Sequence, residues 1–128
     1  LEMKYAVHPE GRKAKTQNIA STLHNIGSVL DDLGNFKGAL EKYEASLEMS
    51  YAIHPEGRKA KTQSIAAALS DQAFVMFKLG DLNGSHESYK LSLEIQYAIH
   101  PDGRNATSSF IIQTKKNLEI VSRRMRTA

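Results

Sequence analysis

Apolar residues recur along this chain at helical spacing, and short polar breaks interrupt them at regular intervals. Ile19, Leu23, Ile26, Leu30 and Leu33 follow steps of four and three, which sets all five on one stripe of an α-helix. Gly34-Asn35 stops this first helix, A, because a glycine just past the last turn takes the positive φ that ends it. Phe36, Ala39, Leu40, Tyr43, Leu47 and Tyr51 outline a second helix, B. The frame returns in Ile65, Leu69, Ala73, Met76 and Leu79, a stop at Gly80-Asp81, and then Leu82, Tyr89, Leu93 and Tyr97. His54-Pro55 and His100-Pro101 end the two B helices, since the residue before proline is pushed out of the α region and Gly57 or Gly103 completes the turn.

The segment from Tyr5 to Gln17 returns almost letter for letter from Tyr51 to Gln63 and fades from Tyr97, a period of 46 residues. A chain with such a period stacks one supersecondary unit on the next, because a single unit cannot bury its apolar face alone. His8-Pro9 and Gly11 predict the same turn as the later copies, so Leu1 to Val7 reads as the tail of an earlier helix B: Leu1-Glu2-Met3 matches Leu47-Glu48-Met49 and Leu93-Glu94-Ile95. The predicted organisation is a single array: 1–8, end of the preceding helix B; 16–53, repeat one; 62–99, repeat two; and 107–126, a third helix A or capping helix. In that last segment Ile111, Leu118, Val121 and Met125 keep the apolar stripe. Starting in mid-repeat without an initiator Met, the sequence reads as a piece of a longer array.

Composition narrows the function classes. At 128 residues the chain fits one domain with one core. It has no Cys, which removes disulfides and thiolate metal sites and fits an intracellular, cytoplasmic setting. No run of about 18 apolar residues and no signal-peptide pattern is present, so a membrane partner is not expected. A net charge of +3, with basic residues scattered over the repeat loops as well as the C-terminal end, gives little reason to expect nucleic acid.

The run Leu23-x-x-Ile26-Gly27-x-x-Leu30-x-x-Leu33-Gly34-x-Phe36-x-x-Ala39-Leu40-x-x-Tyr43-x-x-Ser46-Leu47 closely resembles a tetratricopeptide repeat, with Gly27 and Ala39 at the small positions where helices A and B approach closely. Repeat two is looser, with Gln72 and Ser85 at usually apolar or Ala positions, and Lys115 and Glu119 depart further in the third helix. That family commonly runs 34 residues per repeat. The longer period and the His-Pro connector, with Leu23-His24-Asn25-Ile26-Gly27, resemble the long-repeat branch typified by kinesin light chain. The resemblance implies an all-α fold: an α-solenoid of tandem antiparallel helical hairpins, in a right-handed superhelix.

It also implies that the A helices line a concave groove that binds a peptide or helical segment of a partner protein. By position, the groove-facing candidates are Ser21, His24, Asn25, Ser28, Asp31 and Asp32, then Ala67, Ser70, Asp71, Phe74, Phe77 and Lys78, then Gln113, Lys116, Asn117, Ile120, Arg123 and Arg124. The surface runs from acidic through aromatic to basic. Phe74 and Phe77 are either anchors for a partner or part of the interface with the third helix. Asn25 and Asn117 sit where the family often clamps a peptide backbone, an amide supplying both donor and acceptor; alternatively they are solvated polar residues. The family's clamp for chaperone carboxylates needs converging Lys, Arg and Asn residues, and His24, Ser28 and Asp71 stand at those positions instead. Lys115, Lys116, Arg123, Arg124 and Arg126 either receive an acidic peptide or phosphate, or keep a terminal helix soluble.

His8, His54 and His100 recur one repeat apart, so neighbours stand on the order of 10 Å or more apart per helix layer, too far to share an ion with ~2 Å bonds. They read as connector residues. There is no Cys nucleophile, no Gly-rich phosphate loop and no His-Glu-x-x-His, so no enzyme activity, metal or cofactor is expected. The expectation is a binding scaffold for a protein or peptide. The alternative is a homo-oligomer that stacks end to end or swaps elements through its unpaired terminal helices.

Overall fold

The computed structural model describes the backbone of residues 9–127 and the side chains of residues 16–127. The described residues are all-α, with helices α1 (Pro9–Asp32), α2 (Phe36–Ala52), α3 (Gln63–Lys78), α4 (Leu82–Ile99) and α5 (Ser109–Thr127) and a 3-10 turn in each long connection, at Gly57–Lys59 and Gly103–Asn105. The expected tail of a preceding helix, residues 1–8, lies outside the described residues.

Local chemistry sets the helix ends. The Gly34 N–H donates to the Asp31 carbonyl at 3.0 Å and the Asn35 N–H to the Leu30 carbonyl at 2.8 Å; Gly80 and Asp81 repeat the pair on Phe77 and Met76 at 3.1 and 2.9 Å. This paired closure satisfies the last carbonyls of α1 and α3. The side chains of Asn35 and Asp81 then accept from the N–H groups of Gly38 and Gly84, capping α2 and α4. Thr62 and Ser108 do the same for α3 and α5, accepting from Ile65 and Ile111 at 3.1 and 3.3 Å.

The long connections after α2 and α4 share one construction. Gly57 (φ 59°) and Gly103 (φ 54°) take the left-handed conformation. Arg58 lies 5.4 Å from the Tyr51 ring centroid, Arg104 lies 5.1 Å from that of Tyr97, and Ala60 and Ala106 are buried. Arg58 also pairs with Glu48. The first copy of the same letters behaves differently. Where His8-Pro9 and Gly11 predict a turn, Pro9 instead opens α1, which runs unbroken to Asp32. Proline suits a first helical position because its missing N–H would have no partner there. Near-identical letters thus take a turn in one place and a helix in another, so the letters alone do not impose the turn.

α1 pairs antiparallel with α2, and α3 with α4. A Cβ on Gly27 would lie 2.8 Å from the Tyr43 ring and 3.3 Å from the Ala39 carbonyl oxygen, so only glycine permits this approach of α1 and α2. Ser46 Oγ donates to the Ala20 carbonyl at 2.6 Å, and one period later Ser92 Oγ donates to the Ala66 carbonyl at 2.7 Å. Ser85, one period after Ala39, donates to the Ala73 carbonyl at 2.7 Å and is thereby accommodated in the core. Between pairs, Leu47 and Tyr51 of α2 pack with Ile65, Ala66, Ala68 and Leu69 of α3. Tyr43 meets Val75 and, one period on, Tyr89 meets Val121.

The predicted stripe of α1 divides. Leu23 and Leu30 are half-buried, but Ile19, Ile26 and Leu33 are exposed, and the residues of α1 buried toward α2 are Ala20 and Gly27. Close helix approach is set by small residues, which carry little weight in a hydrophobic pattern.

Gly27→Ala is expected to lower stability by about 1 kcal/mol in urea unfolding, overpacking of roughly 1–3 kcal/mol outweighing a helix-propensity gain of roughly 0.5–1 kcal/mol. A second outcome follows from Tyr89, whose hydroxyl is pushed up to about 12, first by burial and then by the Asp71 charge, with Asn117 easing the shift. The unfolded chain loses this proton near the ordinary value of 10.0 while the folded chain keeps it, so the fold loses stability as pH rises from that value toward about 12. Melting temperatures measured across this range should fall, and Tyr89→Phe should flatten the decline.

Candidate functional site

α1 packs on α2, α2 on α3, α3 on α4 and α4 on α5, and the pairing of His24 with Asp71 brings α1 beside α3. Between α1 and α3 lies a cleft of about 200 Å³. Gln17, Ser21, His24 and Asn25 line it from α1, Ser64 and Ala67 from α3, and Ser46 and Ser50 from α2. Its walls are short polar or small side chains, so it is a shallow slot able to take main chain or a small side chain.

Beside the cleft, His24 Nε2 stands 3.0 Å from an Asp71 carboxylate oxygen and joins α1 to α3. The imidazole rests on the buried Tyr43 ring, centroids 5.0 Å apart and planes inclined at 44°. The Tyr43 hydroxyl donates to Ser28 Oγ at 3.2 Å, so a residue of α2 reaches through to the α1–α3 side. Burial pushes this hydroxyl above its ordinary value, the hydrogen bond to Ser28 holding it back and the charges of Asp71, Asp31 and Asp32 adding to the rise.

Asp31 is the most perturbed carboxylate here. Burial raises its pKa first, then repulsion from Asp32 and Asp71, while Lys78 and the Tyr43 hydroxyl oppose the shift. Three acidic side chains and one lysine thus share a small region between α1 and α3.

The remaining candidates fall into different surroundings. Phe74 is 40% exposed, with Lys78 Nζ 5.2 Å from its ring centroid. Phe77 instead packs with Leu118, Val121 and Met125 between α3 and α5, and Arg124 covers its ring at 5.2 Å. Ser70 turns away from the surface to share a hydrogen bond of 2.8 Å with Ser92 of α4. Asn117 accepts from Gln113 Nε2 at 3.0 Å within α5 and lies beside the Tyr89 hydroxyl. Ser21, Asn25, Asp32, Lys116, Ile120 and Arg123 are exposed, and Arg123 is tied to Glu119 at 3.3 Å. The structure therefore brings His24, Ser28, Asp31 and Asp71 together, and Phe74 with Lys78. It places Phe77, Ser70 and Asn117 in internal contacts.

Gln17, Ser46, Ser50 and Ser64 line the cleft but carry no strong sequence signal, while the Tyr43 hydroxyl reaches Ser28 of α1 and the Tyr89 hydroxyl lies beside Asn117 of α5. The recurrence of Tyr43 as Tyr89, one period apart, is the signal that marks them. Of the connector histidines, His8 lies outside the described residues, His54 donates its N–H to the Tyr51 carbonyl, and His100 Nδ1 accepts from the Asp102 N–H at 3.2 Å. Among the described residues no three His, Asp or Glu side chains are grouped to hold a metal ion, and no helix is long and apolar enough to cross a membrane.

The described residues thus form an all-helical protein with a polar cleft between α1 and α3. Comparison with protein-family models, with curated proteins and with solved structures returns no match.

Because Asp31 has a folded pKa above its ordinary value of 3.8, ionising it costs the folded chain more than the unfolded one. Asp31→Asn should therefore raise the melting temperature at pH 7, and the gain should disappear once pH falls below that ordinary value. A constant gain at all pH values would mean that charge is not its cause.

Proposed function

We propose that this chain is a tetratricopeptide-type scaffold, a right-handed α-solenoid whose concave face is lined by α1, α3 and α5 and takes an extended or helical segment of a partner protein. The observation that carries this reading is the cleft between α1 and α3, polar along its floor, together with the exposed Phe74 further along α3. Such a surface suits a peptide: hydroxyl and amide groups meet main chain, and one aromatic ring anchors a side chain. The repeat reading is supported by pairs that recur with the sequence period, Tyr43 on Val75 and Tyr89 on Val121, Ser46 on Ala20 and Ser92 on Ala66.

Charge along the face adds selectivity. Asp31, Asp32 and Asp71 lie at one end and Lys116, Arg123 and Arg124 at the other, so a segment with basic residues followed by an apolar side chain and then acidic residues is the best complement. No role as an enzyme is proposed, since His24, Asp71, Ser28 and Tyr43 pair with one another without presenting a nucleophile beside a free base.

Peptides selected from a random library on the full chain provide the test. Phe74→Ala should weaken the selected peptides by about tenfold, roughly 1.4 kcal/mol, with the melting temperature unchanged. Phe77→Ala should lower the melting temperature because it opens the α3–α5 contact. Peptides that bind Phe74→Ala as tightly as the parent chain would remove this face from the proposal.

A further inference from the structure

A second cavity, of about 280 Å³, lies where α4 ends and α5 begins, beside the first residue of α3, and shares no lining residue with the cleft between α1 and α3. Ile99, Pro101, Phe110 and Ile111 give it apolar walls, and Ser109 and Gln96 add polar groups. One period earlier the places of Gln96 and Phe110 are held by Ser50 and Ser64, two of the short side chains that line the polar cleft. The exchange of serine for phenylalanine gives this place in the repeat an apolar surface that the first cleft lacks.

Gln96 is 2% exposed, and its amide is held in one orientation. Nε2 donates both of its hydrogens, to Ser92 Oγ at 2.9 Å and to Thr114 Oγ1 at 3.0 Å. Those hydroxyls give their own hydrogens to the Ala66 and Phe110 carbonyls, at 2.7 and 2.8 Å. Turning the amide over would set its oxygen against two oxygens with no hydrogen left to offer, so the nitrogen stays where it is. Oε1 is left as a buried acceptor without a partner among the described residues. An unpaired buried carbonyl is costly, and a donor brought by a ligand removes that cost.

The start of α5 supplies the opposite chemistry. Ser108 accepts from the Ile111 N–H through Oγ at 3.3 Å and from the Ile112 N–H through its carbonyl at 3.0 Å. The N–H groups of Ser109 and Phe110 come before these, have no intrahelical acceptor, and stand at the positive end of a 19-residue helix. Residues around one small cavity thus combine an unpaired acceptor, two unpaired donors and an apolar surface.

We propose that this cavity binds a small aromatic carboxamide, whose N–H donates to Gln96 Oε1, whose oxygen accepts from the first N–H groups of α5, and whose ring lies against Ile99, Pro101 and Phe110. A primary carboxamide offers a donor and an acceptor side by side, and a volume of about 280 Å³ suits a single ring better than a peptide segment. A carboxylate lacks the hydrogen that Oε1 needs, and an ammonium group lacks the acceptor that α5 needs. Because no residue is shared with the α1–α3 cleft, this site and the peptide-binding face stand or fall separately.

Benzamide titrated into the full chain and followed by NMR of the backbone and side-chain amides tests the site. The shifts should centre on Ser109, Phe110 and the Gln96 side-chain amide. Acetophenone, which keeps the ring and the carbonyl but has no N–H, should bind about tenfold more weakly, because it leaves Oε1 unpaired. Acetamide, the end of a glutamine side chain without a ring, should be weaker still. Gln96→Met should weaken benzamide by about tenfold and leave acetophenone unchanged. If that variant fails to fold, the preference of the parent chain for benzamide over acetophenone decides the matter alone. Benzamide bound no more tightly than acetophenone or acetamide, shifts centred on the α1–α3 cleft, or no binding at millimolar benzamide would each overturn the proposal, the last by leaving Oε1 to water.

Discussion

One tyrosine in each B-type helix holds three helices in register. Tyr43 occupies the space that Gly27 leaves on α1, touches Val75 on α3, supports the His24 ring and ends in a hydroxyl bonded to Ser28. Tyr89 repeats the arrangement between Ala73 and Val121, with its hydroxyl beside Asn117. A large ring wedged against a glycine or alanine fixes both the distance and the rotation between helices, because interiors are close-packed and neither partner can shift without opening a void or a clash. The serine hydroxyls that donate to Ala20 and Ala66 reinforce the same contacts with directional bonds. Spacing of the A-type helices, and so the width of the cleft between α1 and α3, follows from these tyrosines.

The clustering of charge between α1 and α3 follows from the same packing. Placing α1 beside α3 brings Asp31 and Asp32 within range of Asp71, and burial raises the Asp31 pKa further. His24 and Lys78 supply partial compensation, the first by pairing with Asp71.

Much of the fold was legible from residue pattern, and the reason differs between elements. Gly34 and Gly80, followed by Asn35 and Asp81, stop one helix and start the next through hydrogen bonds made within a few residues, so local sequence is sufficient. The stripe of α1 was legible as a stripe but not as a surface. Periodicity locates an apolar face, and only the neighbours decide whether anything covers it, as Val29 and Val75 demonstrate. Phe74 and Phe77 make the same point within the candidate site. They are chemically identical and three residues apart, yet one is exposed and the other fills the α3–α5 interface. Cleft residues such as Ser46, Ser50 and Ser64 escaped notice because small polar side chains have no periodic signature of their own.

By itself the sequence determined that the described residues form helices, where those helices begin and end at most junctions, and that the pattern recurs every 46 residues. These properties depend on interactions between residues close in the chain, whose energies are set before any tertiary contact forms. The tertiary structure alone decided that one connector turns while its near-copy starts a helix, that Tyr43 reaches across three helices, and that His24 meets Asp71. The last two join residues distant in sequence, and a linear pattern specifies which face is apolar without specifying what will rest against it.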